Sequence, residues 1–155
     1  MTKKNRVEQL GWADKAVISL TSPEARPPMV KIIFGRPLPS GLKTFLAVKG
    51  FLYDPMSRGW VREPRGNEAE LIEELRRRLR GHGFKLLISP AWARDTLAVL
   101  RSKWDETFLP PATIEEWRAH GYDPVALEKA AEAILRLRDK YLMDWFGPED
   151  REEVY

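Results

Sequence analysis

The chain has 155 residues, a net charge of +3, 12 Pro and no Cys. That length fits one domain with a core that needs no covalent staple, and the lack of Cys excludes disulfides, thiolate metal sites and a Cys nucleophile. The charge is uneven: residues 1–90 sum to +8 and residues 91–155 to −5, so the front half is suited to a polyanion and the back half to solvent or protein.

Taken in chain order, residues 3–10 read as a short helix and residues 16–20 as a first strand. A Pro-rich turn over 23–28 leads to a second strand over 29–34, rich in β-branched residues. Ser40 reads as the cap of a helix over 41–49, with Leu42, Phe45 and Leu46 inward and Gly50 at its end. A hairpin follows, with strands near 51–54 and 59–63; Asp54-Pro55 opens its turn and Gly59 closes it. Asn67 is the expected cap of the next helix, which carries Leu71, Ile72, Leu75 and Leu79 at helical spacing. The run Arg76-Arg77-Arg78-Leu79-Arg80 fills its last turn, before Gly81 and Gly83. Residues 84–89 read as a final strand.

From Pro90 the pattern is helical only. One helix is expected over 91–104, a second from the capping box Thr113-Ile114-Glu115-Glu116 to Gly121, and a long third from Asp123-Pro124 to about Phe146. The order predicts an α+β fold: a mainly antiparallel four- to five-stranded sheet with helices on one face, then a C-terminal helical segment. Residues 1–110 would form a basic sheet-and-helix nucleic-acid-binding domain, and residues 111–155 a segment for packing and self-association. In its long helix Leu127, Ala130, Ile134, Leu137 and Tyr141 follow coiled-coil spacing, which predicts a homodimer or higher oligomer through that seam. Ala131, Leu135 and Leu142 form a second stripe; both stripes would serve equally well inside one chain. The acidic tail over 147–155 is expected to be mobile.

No apolar run approaches membrane-spanning length, and no signal-peptide core follows Met1-Thr2-Lys3-Lys4. The expectation is a cytoplasmic protein with no membrane partner. Abundant Arg and Glu, many Pro and no Cys fit a thermophile.

Little here suggests catalysis. His82 and His120 sit in no metal-ligand spacing, and no phosphate loop, nucleophile elbow or dinucleotide fingerprint occurs. The Glu pairs at 73–74, 115–116 and 152–153 lie on helix surfaces or in the tail, where neighbouring side chains diverge. The expectation is a non-enzymatic protein with no cofactor and no metal.

The hairpin and its surroundings carry the functional signal. Lys31, Arg36, Lys43, Lys49, Arg58, Arg62, Arg65 and Lys85 are candidate phosphate contacts, and Phe34, Phe51, Tyr53 and Trp60 are candidate stacking platforms. Rings beside cations are what an unpaired strand asks for, although the same rings would also make an ordinary cross-strand pair. Alternation leaves two registers. With Leu52 and Val61 toward the core, Phe51, Tyr53, Trp60 and Arg62 face an open side; the opposite register buries the rings and leaves only a basic surface. The favoured partner is single-stranded DNA bound without sequence preference, as in replication and repair. RNA, a protein partner and a small nuclease activity stay open.

The layout resembles the ThermoDBP family and its relatives, archaeal proteins that bind single-stranded DNA. The likeness lies in length, lack of Cys, a basic sheet-and-helix front and a terminal apolar helix. It implies a cleft with an apolar floor and basic rims that holds unpaired DNA, plus self-association through the last helix. Lys43-Thr44-Phe45-Leu46, Tyr53-Asp54-Pro55 and Trp60-Val61 are also similar to the helix, Tyr-Asp and Trp pattern of HARP-type modules in annealing helicases.

Overall fold

Ala16, Ile18 and Leu20 fall on alternate positions, and a pleated strand sends alternate side chains to one face. The computed structural model describes residues 13–23, 27–101, 111–119 and 121–141. It makes Lys15–Leu20 strand β1 and buries those three residues. β2 (Val30–Phe34) runs antiparallel to it, setting Ile32 beside Ile18 and Val30 beside Leu20. After α1 (Ser40–Val48), β3 (Leu52–Asp54) and β4 (Gly59–Arg62) form the hairpin, and β4 pairs antiparallel with β2. α2 (Glu68–Gly81) then carries the chain across β2 and β1 to β5 (Lys85–Ile88), which pairs parallel with β1. A parallel return needs such a long connection, and its helix must lie on a sheet face.

The result is an α+β fold with a five-stranded, mostly antiparallel sheet in the order β3-β4-β2-β1-β5. Leu42, Phe45 and Leu46 of α1 and Leu71, Ile72, Leu75 and Leu79 of α2 share one core with Ile18, Ile32 and Ile88. Burying each of these large side chains contributes about 1.5–3 kcal/mol, which holds the helices to this face. The other face is more open: Ile33 is 42% exposed and Leu52 73%. No helix among the described residues is long and apolar enough to cross a membrane.

Local expectations shift in two places. Ser40 is already helical; Pro39 takes the cap position and no side chain caps α1. α4 (Pro111–Ala119) is under way two residues before Thr113, so Thr113 lies within the helix. α5 (Pro124–Lys140) starts as expected, with Asp123 Oδ1 accepting from Val125 N–H at 2.9 Å; Tyr141 takes its C-cap position, and the expected end at Phe146 lies outside the described residues. The expected helix over 3–10 and the tail over 147–155 lie outside the described residues.

The self-association seam is corrected. Leu127, Ala130 and Ile134 are fully buried and Leu137 nearly so, in the chain's own interior. α5 packs against α2 and against α3 (Ala93–Arg101), where Arg101 pairs with Glu128 at 3.0 Å and Glu132 at 2.8 Å. Leu127, Ala131, Ile134 and Leu137 join the core that holds the sheet residues, so the boundary at 110/111 does not separate two cores. Coiled-coil spacing and a wide intramolecular stripe look alike in sequence, and here the stripe is satisfied within one chain.

Tyr141, the last seam residue, ties α5 to α2. Its phenol donates to the Glu73 carboxylate, 2.6 Å from Oε2, and its ring lies under Arg76, 4.0 Å from the guanidinium carbon. The Tyr141 hydroxyl, followed by Lys140 and Arg76, outweighs partial burial and lowers the Glu73 pKa. A depressed carboxylate pKa stabilises the fold above the unfolded value, and that contribution is lost as pH falls through the folded value. Tyr141→Phe is expected to cost about 1 kcal/mol at pH 7, discounted for the exposure of Glu73. Urea unfolding at pH 7 and pH 3 should show the variant and parent converging in acid; an equal gap at both pH values would contradict this linkage.

Candidate nucleic-acid interface

The hairpin turn is built by Asp54. Its Oδ1 accepts from Met56 N–H at 3.1 Å and its Oδ2 from the Ser57 hydroxyl at 2.7 Å. The Ser57 hydroxyl, with the backbone N–H groups of Met56 and Ser57 and the nearby Lys31 charge, outweighs desolvation and holds the Asp54 pKa below its ordinary value. The turn ends with Arg58 at φ 55°, a left-handed conformation unusual for a residue with a side chain. Gly59 follows because a Cβ there would stand 2.7 Å from the Lys31 side chain and 3.2 Å from the Ile32 carbonyl oxygen.

Register decides what the hairpin presents. Tyr53 pairs with Trp60, Trp60 with Ile32, Ile32 with Ile18 and Ile18 with Ile88, so one row of side chains crosses all five strands on the helix-covered face. Exposure along that row runs from 51% at Tyr53 to zero at Ile32 and Ile18. The register with Leu52 turned inward is therefore not adopted. The rings point to the helix side, yet they stay accessible because they stand at the sheet's edge.

There the structure opens a groove of about 740 Å³ between the hairpin, the loop after β2 and the start of α1. Tyr53 and Trp60 meet edge to face at 5.5 Å and line it with Phe34. Arg36, Lys43 and Arg58 supply three cations, and no carboxylate is among the lining residues. Lys43 and Arg58 make no ion pair with any described residue. Arg36 donates to the His82 carbonyl at 2.8 Å and sits 4.4 Å over the Phe84 ring, which in turn meets Phe34 at 5.4 Å. Pro37 and Leu38 add apolar lining that the residue types did not single out in the sequence.

The other candidates lie elsewhere. Phe51 is fully buried, so it offers no stacking face. Arg62 is also inside: its Nη2 donates to Glu68 Oε2 at 2.7 Å and Asn67 Oδ1 at 2.6 Å, and its Nη1 to the Lys49 carbonyl at 2.9 Å. Glu68 completes the cluster by accepting from the backbone N–H groups of Arg65 at 3.0 Å and Gly66 at 2.9 Å. Asn67 thus binds Arg62 instead of capping α2 with its side chain. The Lys49 ammonium pairs with Glu74 at 2.7 Å, and the Arg65 guanidinium lies against Gly50, a glycine at φ +92° where a Cβ would clash with it. Lys31 pairs with Val61 and Ser19 on the opposite sheet face, and Lys85 belongs to the opposite edge strand.

No family model matches the chain, and neither a curated protein nor a solved structure matches it.

Two outcomes follow from this geometry. Arg62→Ala would leave the Glu68 carboxylate buried without its counter-charge, and urea unfolding is expected to show a loss of about 3–5 kcal/mol. The double variant Arg62→Met with Glu68→Gln should lose less than that. Arg58→Gly removes the left-handed strain and is expected to raise stability by up to about 1 kcal/mol, offset in part by the freedom of Gly in the unfolded chain. A destabilised Arg58→Gly would show that the arginine side chain, not its backbone, governs the turn.

Proposed function

We propose that the groove binds an unpaired nucleic-acid strand, single-stranded DNA above all, without sequence preference and without chemistry on it. The observation that carries this reading is the Tyr53–Trp60 pair, exposed at Tyr53 and half-buried at Trp60, in an open groove lined by three cations and no carboxylate. Phosphates would be neutralised by Arg36, Lys43 and Arg58 while bases stack on the rings. Stacking contributes about 1–3 kcal/mol per base and accepts any base, because every base has a π-face. A duplex keeps those faces covered, so the rings favour a strand whose bases are free. No Asp, Glu, His or Cys is among the groove's lining residues. The resemblance to the ThermoDBP family, with its apolar floor and basic rims, agrees with this reading.

Anisotropy of a labelled dT20 oligonucleotide tests it. Three neutralised phosphates predict a slope of log K against log salt near −2. Trp60→Ala is expected to raise Kd by about 5- to 150-fold, the equivalent of one lost stacked base. Lys31→Ala, on the far face, should bind like the parent. Salt-insensitive binding, or Trp60→Ala equal to the parent, would remove the basis for the assignment. A U20 competitor of equal strength would indicate a site that does not read the 2′-hydroxyl.

A further inference from the structure

The strand proposed for the groove also needs somewhere to go on leaving it, and the end of the sheet supplies a route. We infer that its path continues from the aromatic groove, over Arg36, into a second basic cleft at the opposite edge of the sheet. This rests on the groove being a strand-binding site.

The C-terminal ends of β3 and β2 and the N-terminal ends of β4, β1 and β5 all lie at one end of the sheet, as the register of each pair requires. The aromatic groove opens at that end beside the hairpin. The second cleft, about 400 Å³, includes Arg76, Arg80, Phe84 and Lys85 in its lining. The two are adjacent. Phe34 lines the first, Phe84 the second, and the rings touch edge to face at 5.4 Å, with Arg36 over Phe84. One arginine and two rings thus bridge the clefts.

A helix C-terminus is ordinarily a poor place for phosphate, because its free carbonyls carry partial negative charge. Here Arg36 comes from the loop after β2 and donates to the His82 carbonyl at the end of α2. It offsets that negative end, beside which the Arg80 side chain stands exposed to an anion. Gly83, at φ +80°, leaves room for it: a Cβ there would stand 3.2 Å from Arg36 Nη2. The cleft also contains Asp14, whose carboxylate is 3.4 Å from the Lys15 ammonium.

The path crosses the width of five strands, roughly 19 Å at about 4.8 Å between neighbours. A strand with charges about 3.4 Å apart would place around six nucleotides along it, fewer if drawn out. Short and long oligonucleotides should therefore sense different residues.

The test compares dT4 and dT12 binding to the parent, Arg80→Ala, Arg80→Gln and Trp60→Ala. Arg80 is exposed on the last turn of α2, and circular dichroism is the check that each variant is folded. Both Arg80 variants are expected to weaken dT12 binding several-fold, to reduce its salt slope by about 0.7, and to leave dT4 binding unchanged. Trp60→Ala should weaken both oligonucleotides. If both Arg80 variants bind dT12 with the parent's affinity and slope while Trp60→Ala does not, the extended path is wrong and the groove stands. If no oligonucleotide binds the parent, both fall together.

Discussion

The buried ion pair between Arg62 and Glu68 is the constraint on which the rest of this structure turns. Both side chains are almost wholly shielded from solvent. Two charges so placed are tolerable only when hydrogen bonds replace the water they give up. The Lys49 carbonyl, the Asn67 amide and two backbone N–H groups supply those bonds, leaving Arg62 Nε without a partner. One guanidinium thereby fixes β4, the end of α1 and the start of α2 to each other. It also sets what the hairpin shows. A strand alternates with a period of two, so with Arg62 turned inward Trp60 must face the same way, and Tyr53 opposite it does too. The two rings reach the groove because of a charge pair that never touches it.

The same pair acts on its neighbours. The Tyr122 hydroxyl has no partner, and burial, with the Glu63 and Glu68 charges behind it, pushes its pKa well above the usual phenol value. Its ring meets Trp117 edge to face at 6.5 Å, near the start of α5.

Much of the fold was legible in the sequence because periodicity reports burial directly. The alternation in β1, the spacing of Leu71, Ile72, Leu75 and Leu79, and the Asp123-Pro124 start of α5 each specify one element. Less legible was anything that depends on a partner distant along the chain. Arg62 looks like a surface cation until Glu68 and the Lys49 carbonyl are brought to it. Lys49 looks free until Glu74 arrives. The α5 seam fits a second copy as well as it fits α2 and α3, since periodicity names a buried face but not what buries it. In the candidate site, Tyr53, Trp60, Arg58, Arg36 and Lys43 were readable as ring and cation types. That they converge depends on register and on an edge position that composition does not encode.

Strand β1 lies between β2 and β5, and those two neighbours are made at very different times. β2 follows within a short turn, but β5 appears only after the hairpin and α2. On a ribosome adding roughly 5–20 residues per second, one side of β1 waits several seconds for its partner. During that interval the nascent chain carries an unzipped row of amides and carbonyls beside Ile18 and Leu20. Pairing with β5 covers that row and moves the open edge outward from a strand of six residues to one of four, a smaller template for a neighbouring chain.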